Sequence, residues 1–224
     1  MRPNELLAET RTPDGAALTL VRQSGRLQVQ VNGIILMSSH VHGSEEAMAH
    51  ISCAPLHDKV RARVLVGGLG MGYTLRATLD ALGPDAEVTV SELHPALVEW
   101  NRGVLGPLAG HPLADPRVKL VEGDVAALLK ASPGAFDVVL LDVDNGPEAF
   151  TSSKNAWLYS QAGLGVVRAS LRPGGMVVVW SAFPAPGFPS ALARAGLRAE
   201  TVKVRARLNK GSRHVLYVGR LKPV

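Results

Sequence analysis

Cysteine is almost absent: Cys53 stands alone among 224 residues, so no disulfide can form within the chain and nothing calls for an oxidising compartment. Aromatic residues make up only 4% of the chain, which leaves its basic residues without the interleaved rings that stack exposed bases. Missing too is any apolar run near the ~18 residues that a membrane-spanning helix needs. The first ten residues carry Arg2, Glu5 and Glu9 in place of the basic start and apolar middle of a secretory signal. A cytoplasmic protein with no membrane or nucleic-acid partner is expected. The net charge of +5 fits that expectation. Lys203, Arg205 and Arg207 alternate with Val202, Val204 and Ala206, the period of an edge strand with one wet face.

What is present suffices for a core, since 46% of residues are hydrophobic and a chain of this length buries roughly 70% of its unfolded surface. Residues 17–37 alternate apolar and polar around Ser24-Gly25 and Asn32-Gly33, predicting two or three antiparallel strands. A helix follows from Ser44, with Glu45 and Glu46 in its first turn and Pro55 at its close. Two regions are therefore expected, a small β region over 1–43 and a larger domain over 44–224. From Arg63 onward, short buried runs (Val64–Val66, Glu87–Val90, Val118–Val121, Phe136–Leu141, Met176–Trp180) alternate with amphipathic stretches. One of these is a helix expected from Asn155 to Leu171, followed by a Pro173-Gly174-Gly175 turn. The pattern predicts a doubly wound α/β fold, its sheet mostly parallel, with a C-terminal antiparallel pair joined near Asn209-Lys210-Gly211.

Candidate chemistry gathers at the strand ends. The first strand runs into Gly67-Gly68-Leu69-Gly70-Met71-Gly72, a turn whose backbone N–H groups can approach a ligand beside a helix N-terminus. It would serve equally as a tight strand-helix corner. Glu92 ends the second strand, where a carboxylate can accept from ribose hydroxyls, or simply be solvated. Asp124, after the third, can cap the next helix and accept from an adenine amino group. The fourth ends in Asp142-Val143-Asp144-Asn145-Gly146-Pro147. There two carboxylates could hold a cationic amine, one of them taking its proton, although the composition also makes turns. His40, His42, Glu46 and His50 match no familiar metal spacing, so no metal is expected and they are read as flanking an acceptor pocket. Trp157 and Tyr159 are read as core or lid.

In this order the signals resemble the spermidine synthase (polyamine aminopropyltransferase) branch of the class I methyltransferase fold. They are the glycine turn, Glu92, Gly123-Asp124, the Asp-Val-Val-Leu-Leu-Asp run at 137–142 and Pro173-Gly174-Gly175. The hairpin with Asn32-Gly33, then Met48-Ala49-His50, resembles that branch's β-domain and the segment after it. The resemblance implies a seven-stranded sheet and S-adenosylmethionine or its decarboxylated form as donor, with S-adenosylhomocysteine or methylthioadenosine as product. It also implies a small-molecule amine acceptor and a homodimer. Gly67, Gly68, Gly70 and Gly72 would line the methionine-like moiety, Glu92 the ribose and Asp124 the adenine, with Leu69, Leu93 and Val125 also binding the cofactor. Asp142 and Asp144 would be catalytic, with Glu45, Glu46, Asn145 and Tyr159 around the acceptor. Three positions depart from the family pattern. Gly70 replaces an aspartate that holds the aminopropyl amine, Glu45 replaces an amine-site tyrosine, and Asn145-Gly146-Pro147 replaces an Asp-Pro pair. Aminopropyl transfer is the first expectation; methyl transfer to an unknown acceptor and a non-catalytic nucleoside-binding module are the alternatives.

Overall fold

The computed structural model describes residues 4–12, 15–143, 146–147, 156–207 and 211–222. Two sheets share one body. The first is an antiparallel meander, β1 (Glu5–Arg11), β2 (Ala17–Gln23), β3 (Arg26–Val31) and β4 (Ile34–Ser38), with Ser24 and Asn32 in left-handed conformations at its turns. β1 escaped the sequence pattern because its side chains do not alternate cleanly, and a bulge between Leu6 and Ala8 shifts its register against β2. Leu18, Leu20, Leu27 and Val29 pack on Met71, Leu97 and Leu105, so the small sheet closes over the glycine turn.

The second sheet has seven strands in the order β10-β11-β9-β8-β5-β6-β7. They are β5 (Arg63–Gly67), β6 (Glu87–Glu92), β7 (Val118–Glu122), β8 (Phe136–Leu141), β9 (Leu171–Ser181), β10 (Arg198–Arg205) and β11 (Arg213–Arg220). β5 pairs in parallel with both β6 and β8, so strand order reverses there and a crevice opens beyond the strand tips. The central strands are buried on both sides; Val64, Leu65 and Val66 are fully covered, as parallel strands between two helical layers must be. One layer contains α1 (Gly43–Cys53), α2 (Tyr73–Ala81) and α3 (Pro95–Arg102). The other contains α4 (Val125–Lys130), α5 (Ala156–Tyr159), α6 (Gln161–Ser170) and α7 (Phe188–Arg194). Spacing explains the faces, with Leu75 and Leu79 one turn apart on α2, and Leu164 and Val167 likewise on α6.

Two expectations are corrected. The long helix over 155–171 is two helices, because Ser160 starts a new one by accepting from the Gly163 N–H at 3.2 Å. The Pro173-Gly174-Gly175 turn is a bulge within β9, which pairs at Phe136↔Leu171 and again only at Val138↔Met176, with Gly174 at φ +76° absorbing the excess. The antiparallel pair is present, and β11 lies between β9 and β10, antiparallel to both. Residues 209 and 210 of the expected connection lie outside the described residues.

Candidate active site

The glycine turn is shaped by close backbone approach. Gly68 adopts φ +91°, and a Cβ there would stand 2.2 Å from the Asp142 carbonyl oxygen, so no side chain fits. Its N–H donates to the Ser91 carbonyl at 2.9 Å, while the Asp142 N–H donates to the Gly67 carbonyl at 2.9 Å. The turn is thereby stitched to the tips of β6 and β8. Gly72 at φ +86° leads into α2. Gly70 is also left-handed, and a Cβ there would meet Met37 Sδ of β4 at 3.3 Å. The Asn101 amide donates to the Gly70 carbonyl at 2.8 Å, tying the turn to α3.

Glu92 is buried at the tip of β6, 5% exposed, and both its oxygens accept from backbone: Oε2 from the Leu69 N–H at 2.9 Å, Oε1 from the His94 N–H at 2.8 Å. Each carboxylate oxygen has a second lone pair, so a ribose diol can still be accepted. Leu93 beside it is 45% exposed, an apolar side chain left uncovered at the crevice rim. Asp124 caps α4 by accepting from the Ala126 N–H at 2.8 Å. Val125 packs against Gly67, its Cγ2 standing 3.0 Å from where a Cβ would be.

Asp142 leaves the tip of β8 and accepts a 2.6 Å hydrogen bond from the Thr74 hydroxyl on α2. Burial pushes its carboxyl up to about 6, against the lowering effect of that bond. Glu45, in the first turn of α1, is pushed up to about 7, chiefly by burial and then by the charge of Asp142; the Ser44 hydroxyl, donating at 2.5 Å, opposes the rise. Two half-buried carboxylates, close enough that the charge of one raises the other and with no ion pair to a described lysine or arginine, can hold an ammonium ion, or take its proton near neutral pH.

The other expected residues are spread more widely. Asp144 and Asn145 lie outside the described residues. Tyr159 is buried in the core beside Phe188, and its hydroxyl donates to the Val143 carbonyl at 2.9 Å, so it braces the segment that carries Asp142. Glu46 lines a groove of about 700 Å³ between α1 and α2, paired with His42 Nδ1 at 2.8 Å. His42 stacks on Tyr73 with ring centroids 4.2 Å apart, and the Tyr73 hydroxyl donates to the Ser39 carbonyl, pinning the small sheet to the glycine turn. His40 is bonded to Ser38 and Arg207. Sequence reasoning missed Thr74 and read Ser44 only as the start of a helix, which in the structure begins at Gly43 with His42 as its N-cap. The available signal for Thr74 was a polar residue on the apolar side of α2, two positions past Gly72.

A family model described as "Spermine/spermidine synthase domain" matches residues 41–184. A Streptomyces coelicolor protein named polyamine aminopropyltransferase 2 is 34% identical over 208 residues, 88% of this chain and 34% of its own. A Pseudomonas aeruginosa protein of the same name is 35% identical over 127 residues, 55% of this chain and 34% of its own. The chain thus spans about a third of the length of these relatives. Among solved structures, a spermidine synthase from Thermotoga maritima superposes with a TM-score of 0.75 at 16% identity, covering 96% of this chain and 72% of that one. A spermidine synthase in complex with the transition-state analogue AdoDATO superposes equally well, with the same identity and coverage. An O-methyltransferase family protein from Burkholderia thailandensis gives 0.57 at 16% identity, covering 80% and 55%. A match over well more than half of the chain, together with a relative above 30% identity across most of it, makes this chain a member of the spermine/spermidine synthase family.

Proposed function

We propose that this chain transfers an aminopropyl group from decarboxylated S-adenosylmethionine to a small amine. The carboxylate pair Glu45–Asp142 carries the reading, because buried negative charge at the tip of β8, beside the glycine turn, is what an ammonium acceptor requires. The named activities of the relatives and the AdoDATO complex of a structural neighbour support the same donor class. Glu92 and Leu93 would receive the ribose, Asp124 and Val125 the adenine, and the Gly67–Gly72 turn the sulfonium end. The acceptor gives one proton to Asp142 or Glu45. Its nitrogen lone pair then forms the bond to the aminopropyl carbon as the C–S bond breaks, and the bonding pair stays on sulfur in methylthioadenosine. The protein's contribution is alignment and removal of the proton. Asp144 and Asn145 are assigned to the acceptor side, Tyr159 acts from behind by bracing the segment that carries Asp142, Glu46 stands apart from the acceptor in its own groove, and the active form is taken to be a cytoplasmic homodimer.

One observation favours a second reading. Gly70 places no carboxylate at the donor's amino end, so ordinary S-adenosylmethionine, with its own carboxylate, would meet no repulsion there, and methyl transfer would follow. Titration calorimetry with the two donors, followed by mass spectrometry of products from a panel of amines, separates the readings. Tighter binding of the decarboxylated donor and a product heavier by an aminopropyl group are expected. Preference for S-adenosylmethionine with methylated product would replace the first reading by the second, and no product from either donor would overturn both.

A further inference from the structure

Moving the acceptor's proton to a half-buried carboxylate solves only half the problem, because the site must be emptied of that proton before the next turnover. The Ser44 hydroxyl, fully buried, lies 2.5 Å from Glu45 Oε2 and 2.9 Å from Nδ1 of His214 on β11. On the far side of the ring, Nε2 is 3.5 Å from the hydroxyl of exposed Ser212. The imidazole is held edge-on against Trp180, with ring centroids 4.8 Å apart at 76°. A continuous line of exchangeable protons therefore runs from the acceptor cleft, through one buried hydroxyl, to a ring whose outer nitrogen reaches the surface.

We infer that Ser44 and His214 form the exit path by which the proton shed by the acceptor amine leaves the cleft through Glu45. The inference rests on the amine-transfer reading above. The protonated Glu45 carboxyl gives its proton to Ser44 Oγ, the Ser44 hydroxyl proton passes to His214 Nδ1, and the imidazolium releases its Nε2 proton to water or a buffer base. Afterwards Glu45 is again a carboxylate, Ser44 a hydroxyl and His214 neutral with its proton on Nδ1, and exchange of the ring between its two tautomers with water restores the Nδ1 lone pair before the next proton arrives. Neither residue touches the reacting atoms; both act through Glu45.

The surroundings of the ring suit a transient carrier. From α1 it faces Ser44 and Glu45, from β9 Trp180, and from β10 Val204, its direct cross-strand neighbour; Arg213 and Arg205, adjacent on the two strands, are exposed. Burial lowers the pKa of His214 below its ordinary value of 6.5, so the ring is neutral at pH 7, with a lone pair free for an incoming proton.

The test uses the full chain with His214→Ala and Ser44→Ala, measuring kcat and the KM for the amine from pH 6 to 9 in weak buffer, with and without added imidazole. His214→Ala should lower kcat by up to about 10²-fold with the amine KM unchanged, and imidazole should restore it. Ser44→Ala should lose activity without rescue. A His214→Ala protein as fast as the native one in weak buffer, or one that imidazole does not restore, overturns the inference. A readout independent of turnover is the ring ¹⁵N spectrum of His214 in the unliganded protein. Glu45→Gln should shift its tautomer balance near pH 7, and a ring indifferent to that change and to Ser44→Ala refutes the path. If the native chain turns over no amine, the transfer reading fails, while the spectrum still decides whether the path exists.

Discussion

Replacing Glu45 by Gln should stabilise this protein in alkaline solution and leave it unchanged in acid. The folded state raises the carboxyl from 4.5 to about 7, first by burial and then through Asp142. A rise of that size disfavours the ionised form by about 3 kcal/mol. Because the folded chain holds this proton more tightly than the unfolded chain does, stability is lost as pH climbs from about 4.5, and the loss is complete a little above 7. Gln keeps the oxygen that accepts from Ser44 but never ionises. Protons leave a carboxylate pair in steps shared between its members, and Asp142 remains, so the substitution should recover on the order of 2 kcal/mol at pH 8.5. In a chain of this size that corresponds to a rise in Tm of roughly 4–8 °C. At pH 4.5 both proteins carry a neutral side chain when folded, and their melting curves should nearly coincide. Thermal unfolding followed by circular dichroism at the two pH values reads the difference directly. A Gln variant that loses stability at pH 8.5, or gains equally at both, would show that Glu45 is not strained by its charge.

Asp142→Asn should reduce kcat by about 10²-fold or more while changing the affinity for the nucleoside donor only a few-fold, as steady-state kinetics beside calorimetry will show; equal loss of both contradicts its assignment to the acceptor. Gly68→Ala forces a Cβ to 2.2 Å from the Asp142 carbonyl oxygen at φ +91°, so it should cost about 3 kcal/mol and abolish donor binding; a urea midpoint near the native value would sink this reading of the turn. At the other end of β8, Asp137 is 3% exposed and accepts from Lys59 Nζ at 2.8 Å, the Arg63 N–H at 2.8 Å and Arg172 at 3.2 Å. Asp137→Ala strands a backbone donor among these groups and should destabilise by about 2–4 kcal/mol in urea unfolding without altering the amine KM.

The sequence alone determined the alternation of buried runs with amphipathic stretches, hence a doubly wound sheet, and placed Gly67–Gly72, Glu92, Asp124 and Asp142 at its strand tips. Those features are local: a glycine turn, a strand period and a helix cap are each written in a few consecutive residues. Local pattern failed where the chain departs from regular period, as in the bulged β1, the break at Ser160 and the bulge around Gly174. Only the tertiary structure decided which side chains meet. It brings Glu45 from α1 to Asp142, lines a groove with the adjacent Glu46, and sets Ser44 against His214, a residue 170 positions away. Neighbouring residues on a helix point about 100° apart, and a contact across 170 positions depends on how strands are ordered in a sheet. Neither is encoded in the spacing of the residues that carry the chemistry, because burial and partner charge arise only when separate elements close on one cleft.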